Sequence, residues 1–455
     1  MNIDAIYSKY EKLMPREKLP EFLFEYFHRF DKVPWVTNTE EGSFYRALQS
    51  TAKEYRQQKF LTDFLDRIFL TYYSKKKSSR NRKKILFRPF KYYNIILEAK
   101  KHHQVGLFVH GNYDRLFALR HGMGYVATSD LDQYVLAYLE QKDITCLYRL
   151  INAVEKKLVS AKPDYIVLWT DILPIERTIA LVAKKLGIAT LEIQHGLEDS
   201  FWPIESGKVV DYVLVWGRYF IDLYAKQNIR KPQDLYTVGY PYVSPNNPGT
   251  VKHHNPYVVY YLGANLEVYN DAFLNVKVQT IKKLDEICKA LGMPFFYRPH
   301  PGDDRELLQK HLPGISFTNP SEGLQEAFTC ADIFISFQSS ALVESSMRSK
   351  VSLQLLNYPI ESDNFEKLGV CSKSCVTIEA LGDYLKKIVD AKNLDAFKIK
   401  FNNGYVETRY NPAERFLEII QDIEKKKRDP NLRMHPNDTN TYSEHSDEDS
   451  DNSDR

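Results

Sequence analysis

The sequence predicts an α/β protein built from two doubly wound parallel sheets in series. Three observations predict it. From residue 85 onward, short apolar runs alternate with amphipathic stretches, the strand–helix–strand pattern of parallel sheets covered by helices on both faces. The stretch SPNNPGTVKHHNP at 244–256 then interrupts the alternation with prolines, asparagines and a glycine, as a linker would. After it the alternation restarts, and the chain's 455 residues are enough for two or three such units.

Residues 1–84 form a helical N-terminal extension. In EFLFEYFHRF and FLTDFLDRIFLTYY, apolar residues recur at three and four, and the aromatic stripe reads as core packing. The extension ends in the basic run KKKSSRNRKK (75–84), a solvated linker whose sharper reading is a patch for anionic lipid headgroups. Residues 85–245 form the first α/β domain. VGLFVHG, YIVLWTD, ATLEIQHG and YVLVWG are its buried strands, and IERTIALVAKKLG is a helix closed by Gly187. Residues 246–395 form the second. It opens on the strand YVVYYLG, ending in Gly263, and a helix around 271–291. The strand PFFYRPHP, a helix around 321–330, the strand ADIFISF, a helix from about 340, the strand VSLQLL and a helix near 379–392 follow. Residues 396–428 form a C-terminal helical segment centred on PAERFLEIIQDIEKKKR, and 429–455 a disordered acidic tail with too few apolar residues to bury a core.

Composition excludes several classes. Sixty-two basic against fifty-nine acidic residues leave a net charge of +3, so no global field draws the chain onto nucleic acid. No apolar run approaches the roughly 18–20 residues of a membrane span. The start, MNIDAIYSKYEK, lacks the pattern of a signal peptide. Five cysteines, odd in number and mostly inside apolar segments, fit a reducing cytosol, so a cytoplasmic location is expected. Cys371 and Cys375 have no second Cys/His pair, so no metal is expected. No P-loop, dinucleotide glycine motif or G-x-S-x-G is present.

Two such sheets in series place a cleft between their carboxyl edges, where ligands of doubly wound sheets bind. Arg298 and His300 of YRPHP stand two apart, so an extended chain points both to one side. Pro299 and Pro301 hold that extended geometry. An aimed guanidinium and imidazole suit a phosphate leaving group. Ser339 and Ser340 open a helix after a strand, where unpaired backbone N–H groups and the dipole bind phosphate. Glu344, one turn deeper, is a carboxylate for the two hydroxyls of a ribose. His195 ends a strand in the first domain, with Gly196 allowing close backbone approach. His195 and its acidic neighbours Glu198 and Asp199 are candidates for the general base on an acceptor hydroxyl. Three look-alikes are set aside. His110-Gly111 also follows a strand but has no polar constellation behind it, Asp130-Leu131-Asp132 reads as a helix cap, and His435-Pro436 falls in the tail.

The order of these segments resembles a GT-B glycosyltransferase. It runs Gln194-His195-Gly196, DYVLVWG, Val238-Gly239-Tyr240-Pro241, a linker, R-x-H-P and then D-I-x-I-S-x-x-S-S, over roughly residues 160–375. The group it most resembles contains the CDP-glycerol glycerophosphotransferases and capsule transferases of bacterial surface polysaccharide synthesis. The His-Pro plus Ser-Ser pair is also similar to bacterial sialyltransferases. The resemblance implies two Rossmann-like domains facing across a cleft. It implies that His300 stabilises or protonates the leaving nucleotide phosphate and that Ser339 and Ser340 bind the donor phosphate. It makes His195 a base or an acceptor contact and implies no metal or other cofactor. The expected donor is a CMP-linked acid sugar of the sialic acid or Kdo kind, and the acceptor a glycan or lipid-linked glycan at the inner face of an anionic membrane, among other capsule-assembly proteins. Glu198-Asp199-Ser200 lacks the glycine of the sialyltransferase acidic motif, so the base stays open between His195, Glu198 and Asp199. Polyol-phosphate transfer from CDP-glycerol or CDP-ribitol is the alternative chemistry, and a non-catalytic scaffold the alternative class.

Overall fold

The apolar runs read as strands from the sequence all form strands, and every strand pairing among the described residues is parallel. The computed structural model describes residues 82–89, 92–197, 208–227, 229–242, 253–264 and 272–428, with Gln49, Lys53, Leu70 and Tyr73. The rest of the N-terminal extension, most of the basic run, Glu198, Asp199 and the tail from 429 lie outside the described residues.

The first sheet has seven strands: β1 Lys84–Phe87, β2 Gln104–Val109, β3 Gly124–Ala127, β4 Tyr165–Leu168, β5 Ala189–Ile193, β6 Tyr212–Val215 and β7 Leu235–Thr237. Their order is β3-β2-β1-β4-β5-β6-β7. The second sheet has five, in the order β12-β11-β10-β8-β9: β8 Val259–Leu262, β9 Phe295–Arg298, β10 Ile333–Ser336, β11 Val351–Leu355 and β12 Lys373–Cys375. Lys84, read as the end of the linker, instead begins β1, inside the sheet between β2 and β4. Its ammonium is buried and donates to the carbonyl of Ala161 at 2.8 Å.

Helices cover both faces. On one face of the first sheet pack α1 (Tyr93–His102) and α2 (Asn112–Arg120). On the other lie α3 (Asp132–Gln141), α4 (Ile144–Ala161), α5 (Pro174–Lys185) and α6 (Arg218–Lys226). Pro174 starts α5 with its ring angle already helical, and Gly187, at φ +70°, ends the segment in a backbone region open to glycine. In the second unit, α7 (Ala272–Ala290), α8 (Arg305–His311) and α11 (Ile378–Ala391) bury one face of the sheet. On its opposite face, α9 (Leu324–Cys330) and α10 (Ser340–Met347) join an apolar cluster that runs on into the first unit through Trp216 and Tyr240.

The C-terminal segment is helical only from Pro412. A short 3-10 turn at Leu394–Phe397 is followed by irregular chain that returns to the first sheet, where Glu407 N–H donates to the carbonyl of Trp216 at 2.9 Å. There α12 (Pro412–Arg428) lays Phe416, Ile419, Ile420 and Ile423 against α1 and Phe87. Tyr73, from the N-terminal extension, also packs on this sheet. Its ring and stem stand where Gly106 and Gly124 would carry a Cβ, at 2.6 and 2.5 Å.

Candidate active site at the carboxyl strand edges

The order β10-β8-β9 sets the loops after β10 and β9 on either side of β8, two strand spacings or about 10 Å apart. Gly263 ends β8 between them, its N–H donating to the carbonyl of Arg298 at 2.8 Å. A Cβ on Gly263 would stand 2.7 Å from Tyr297 Oη, 3.0 Å from His300 N and 3.1 Å from Asp303 Oδ2. The RPHP loop thus folds down onto a position where only glycine fits.

A buried network holds this loop. Asp303 Oδ2 accepts from the Tyr297 hydroxyl and from the His300 backbone N–H, each at 2.8 Å. Asp303 Oδ1 accepts from Lys277 Nζ, on α7, at 3.1 Å, and both side chains are fully buried. The His300 ring is exposed, and its Nδ1 accepts from Gly302 N–H at 3.1 Å. That bond assigns the ring proton to Nε2, which makes Nε2 a donor.

Arg298 differs from its expected role. Its guanidinium donates to Glu322 Oε1 at 3.2 Å and to the Glu322 carbonyl at 3.0 Å. It is already paired and is not an open phosphate clamp beside His300.

After β10, Ser339 is the N-cap of α10, its hydroxyl oxygen accepting from Ala341 N–H at 3.2 Å. As an acceptor it keeps its own hydrogen for a further partner. Ser340 begins the helix; burial and Glu344 raise the Tyr240 pKa, and the Ser340 hydroxyl lowers it. Glu344 is 1% exposed. Its Oε1 accepts from Gln325 at 2.8 Å and from Arg348 at 3.2 Å, and its Oε2 accepts from Tyr240 at 3.2 Å. Neither oxygen is open to a ribose in this structure; the carboxyl instead ties α10 to Tyr240 of the first unit. Burial pushes the Glu344 carboxyl above its ordinary value. A second tie crosses nearby, from the Tyr219 hydroxyl to Asp363 at 2.9 Å.

On the first sheet, His195 follows β5 and meets Trp169 edge to face, with ring centroids 4.8 Å apart. Burial, with the Lys208 ammonium nearby, pushes its pKa down from 6.5 to about 4. The imidazole is therefore neutral at pH 7, and a weaker base than the sequence suggested. Lys208 itself is buried in a 2.5 Å pair with Glu192. Glu198 and Asp199 lie outside the described residues. Gly196 accepts from Gln194 at 3.0 Å, and a Cβ there would meet nothing within 4 Å, so the fold itself does not demand glycine at this position.

The His195 shift has a consequence for stability. The unfolded imidazole binds a proton below about pH 6.5, the folded one only near 4. Between these values the unfolded state binds more protons, so acidification destabilises the fold. The carboxyls of Glu344 and Asp132, pushed up by burial, act in the opposite sense. The prediction is therefore a difference. The urea midpoint of His195→Gln falls less steeply than wild type from pH 6.5 to pH 4, and equal slopes contradict it.

Sequence reasoning missed Tyr240, Asp303, Lys277 and Glu322 as parts of the site. Asp303 carried a signal as the acid three residues after His300, and Tyr240 one as part of the Val238-Gly239-Tyr240-Pro241 run. The cap reading of Asp130-Leu131-Asp132 is corrected. Leu131 is the N-cap residue, with no side-chain cap bond, and Asp132 already lies inside the first turn of α3. Among the described residues no group of three or more His, Cys, Asp or Glu is placed to hold a metal, and no helix is long and apolar enough to cross a membrane.

No family model and no curated protein matches the sequence. Solved structures match over most of the chain. UDP-GlcNAc 2-epimerase from Neisseria meningitidis, bound to UDP-GlcNAc, is 14% identical with a TM-score of 0.52, over 74% of this chain and 100% of that one. The S. aureus MnaA–UDP co-structure is 12% identical with a TM-score of 0.54, over 75% and 97%. A glycosyltransferase from Rickettsia africae is 12% identical with a TM-score of 0.50, over 76% and 99%. At such identities the likeness carries the architecture: two parallel sheets, each layered with helices, in the GT-B fold.

Proposed function

We propose that this chain is a metal-independent glycosyltransferase that moves a sugar from a nucleotide donor onto a bacterial surface-polysaccharide acceptor, with a CMP- or CDP-linked acid sugar as donor. One observation carries the reading. The ends of β8, β9 and β10 set His300, Gly263 and the serine-capped start of α10 along one edge, facing Tyr240 of the first unit. His300 Nε2–H and the α10 terminus supply neutral donors and a positive dipole end toward one phosphate. The acceptor oxygen bonds to the anomeric carbon as that carbon's bond to the phosphate oxygen breaks. The electron pair leaves on the phosphate, and the acceptor proton passes to a base. Donors aimed at the departing charge are commonly the largest catalytic contribution. The fold likeness to proteins holding UDP-GlcNAc or UDP supports a nucleotide-sugar ligand and brings uridine nucleotides into the test.

The test is a thermal-shift panel of CMP, CDP, UDP and GDP. A ligand bound only by the folded state stabilises it by about 2.7 kcal/mol at a hundredfold excess over Kd. CMP or CDP should raise the midpoint. A response to UDP alone replaces the donor class, and no response to any nucleotide sinks the reading. With an active donor, phosphorus in the product marks polyol-phosphate transfer instead.

A further inference from the structure

The amino ends of the first sheet's strands, opposite the carboxyl ends that bear the candidate site, gather positive charge from segments far apart in sequence. The basic run 75–84 enters the fold at Arg82, Lys83 and Lys84, where β1 begins. Beside it α12 ends on Lys425, Lys426, Lys427 and Arg428. Lys83 pairs with Glu424 of α12 at 2.9 Å, and Lys427 Nζ donates to the Tyr165 hydroxyl, at the start of β4, at 3.2 Å. The α1, α4 and α5 helices end here too, since each leads into the next strand. Residues 82–84, 98–103, 161–164, 184–188 and 422–428 carry twelve Lys and Arg against four Asp and Glu, in a chain whose net charge is only +3. Four helix carboxyl ends, at about −0.5 charge each, offset roughly two of the surplus charges. The local carboxylates do not answer the rest. Glu424 alone accepts from the Tyr165 hydroxyl and faces both Lys83 and, at 3.7 Å, Arg428. Exposed Lys162 has no ion pair among the described residues. A cavity of about 560 Å³ opens at this end, where Lys83, Lys162 and Lys427 stand with Asp164 and Glu424.

We propose that the acidic segment 444–454 docks on this basic pole of its own chain and shields it from other polyanions. Directly after Arg428, residues 429–455 carry eight Asp and Glu against two Arg, and six of the eight fall within 444–454. The charge therefore complements the pole, and the chain delivers it there. The fifteen residues from Asp429 to Glu444 reach up to about 50 Å when extended. The pole spans β2-β1-β4-β5, three strand spacings or about 14 Å, so all of it lies within that reach. Each exposed charge pair is worth little alone. The tether makes the contact intramolecular, at an effective concentration on the order of millimolar, and several weak pairs then act together. Salt screens such pairs, so the contact loosens as ionic strength rises. An anionic lipid surface, the partner expected for the basic run, competes for the same cations. The proposal does not rest on the glycosyl-transfer reading, because the pole and the candidate site lie at opposite ends of the strands.

The experiment uses full-length protein, with unlabelled and nitrogen-15 chains mixed so that mass spectrometry separates links within a chain from links between copies. A carbodiimide joins a carboxylate to an amine only where the two touch. Wild type should give same-chain links from 444–454 to Lys83, Lys162, Lys425 or Lys427, and their yield should fall roughly fivefold in about 0.5 M sodium chloride. Links spread evenly over the surface lysines, unchanged by salt, or found only between copies overturn the proposal. Shielding is read by sedimentation with vesicles of phosphatidylglycerol and phosphatidylcholine. The combined Asp447→Asn, Glu448→Gln, Asp449→Asn and Asp451→Asn variant should bind them roughly tenfold more tightly than wild type. Adding Lys162→Gln, Lys425→Gln and Lys427→Gln should remove the gain; all three lysines are exposed, so the fold tolerates the changes. Equal vesicle binding by wild type and the amide variant, or a gain that survives the lysine changes, also overturns it.

Discussion

His300→Ala should lose roughly 10²–10³-fold in kcat and almost nothing in stability. The side chain is exposed, and the loop is held through its backbone N–H and through Asp303, which the substitution leaves alone. What disappears is one donor at the carboxyl end of β9. Because Nδ1 is engaged by Gly302 N–H, the proton sits on Nε2. The ring thus serves as a hydrogen-bond donor without first having to be charged. His300→Asn, which keeps an N–H donor on a shorter arm, should recover part of the loss, whereas His300→Phe should not. Nucleotide-induced thermal shift should fall only modestly in all three, since the α10 terminus remains. Steady-state kinetics with one active donor checks the series. Wild-type kcat in His300→Ala removes the imidazole from the chemistry, and a scaffold role would leave all three variants silent in cells.

How much of this was legible in the sequence follows from burial. Strands inside a parallel sheet are covered on both faces and read as continuous apolar runs, so VGLFV, YIVL, ATLEI and VSLQL stood out. KILF was hidden at the end of the basic run, inside the sheet; the other strands not seen as such, GYVA, LYT and KSC, are three or four residues long and lie at sheet edges. They carry little apolar signal because one side of each has no neighbouring strand. The RPHP loop was legible because prolines act on the local chain. The partners of its residues were not, since Glu322 and Lys277 reach it from elements 24 and 26 residues away. Asp130 misled for a related reason. An acid ahead of an apolar helix pattern normally caps it. Here the backbone of Leu131 is already helical, at φ −77° and ψ −29°, which puts Asp132 in the first turn and against His110 from another strand. Glu344 was correctly placed on α10, one turn past Ser340, but its occupation by Tyr240 depends on the approach of two sheets, which no local pattern encodes.

Removing one member of the Lys277–Asp303 pair should be the most destabilising single change near the site. Both side chains are 0% exposed, and the ammonium and carboxylate lie 3.1 Å apart. A buried pair of this kind adds little net stability, because desolvation offsets the attraction, but a lone buried charge does not have that compensation. Lys277→Met, which strands Asp303, should cost roughly 3–5 kcal/mol in urea unfolding, and Asp303→Asn, which strands Lys277, a similar amount. The double variant should recover most of it, since no charge is left buried and the substituted amide oxygen can still accept from the His300 N–H. Turnover should not recover in step. Asp303 Oδ2 joins the Tyr297 hydroxyl to the His300 backbone, each at 2.8 Å, and this junction fixes where the imidazole stands above Gly263. A neutral amide holds that junction more weakly than a carboxylate. The double variant should therefore be folded, nearly as stable as wild type and slower by a factor of about ten, a looseness of aim rather than a loss of the group. Single variants costing under about 1 kcal/mol would mean that water reaches the pair, and a double variant with wild-type kcat would mean that the junction does not position His300.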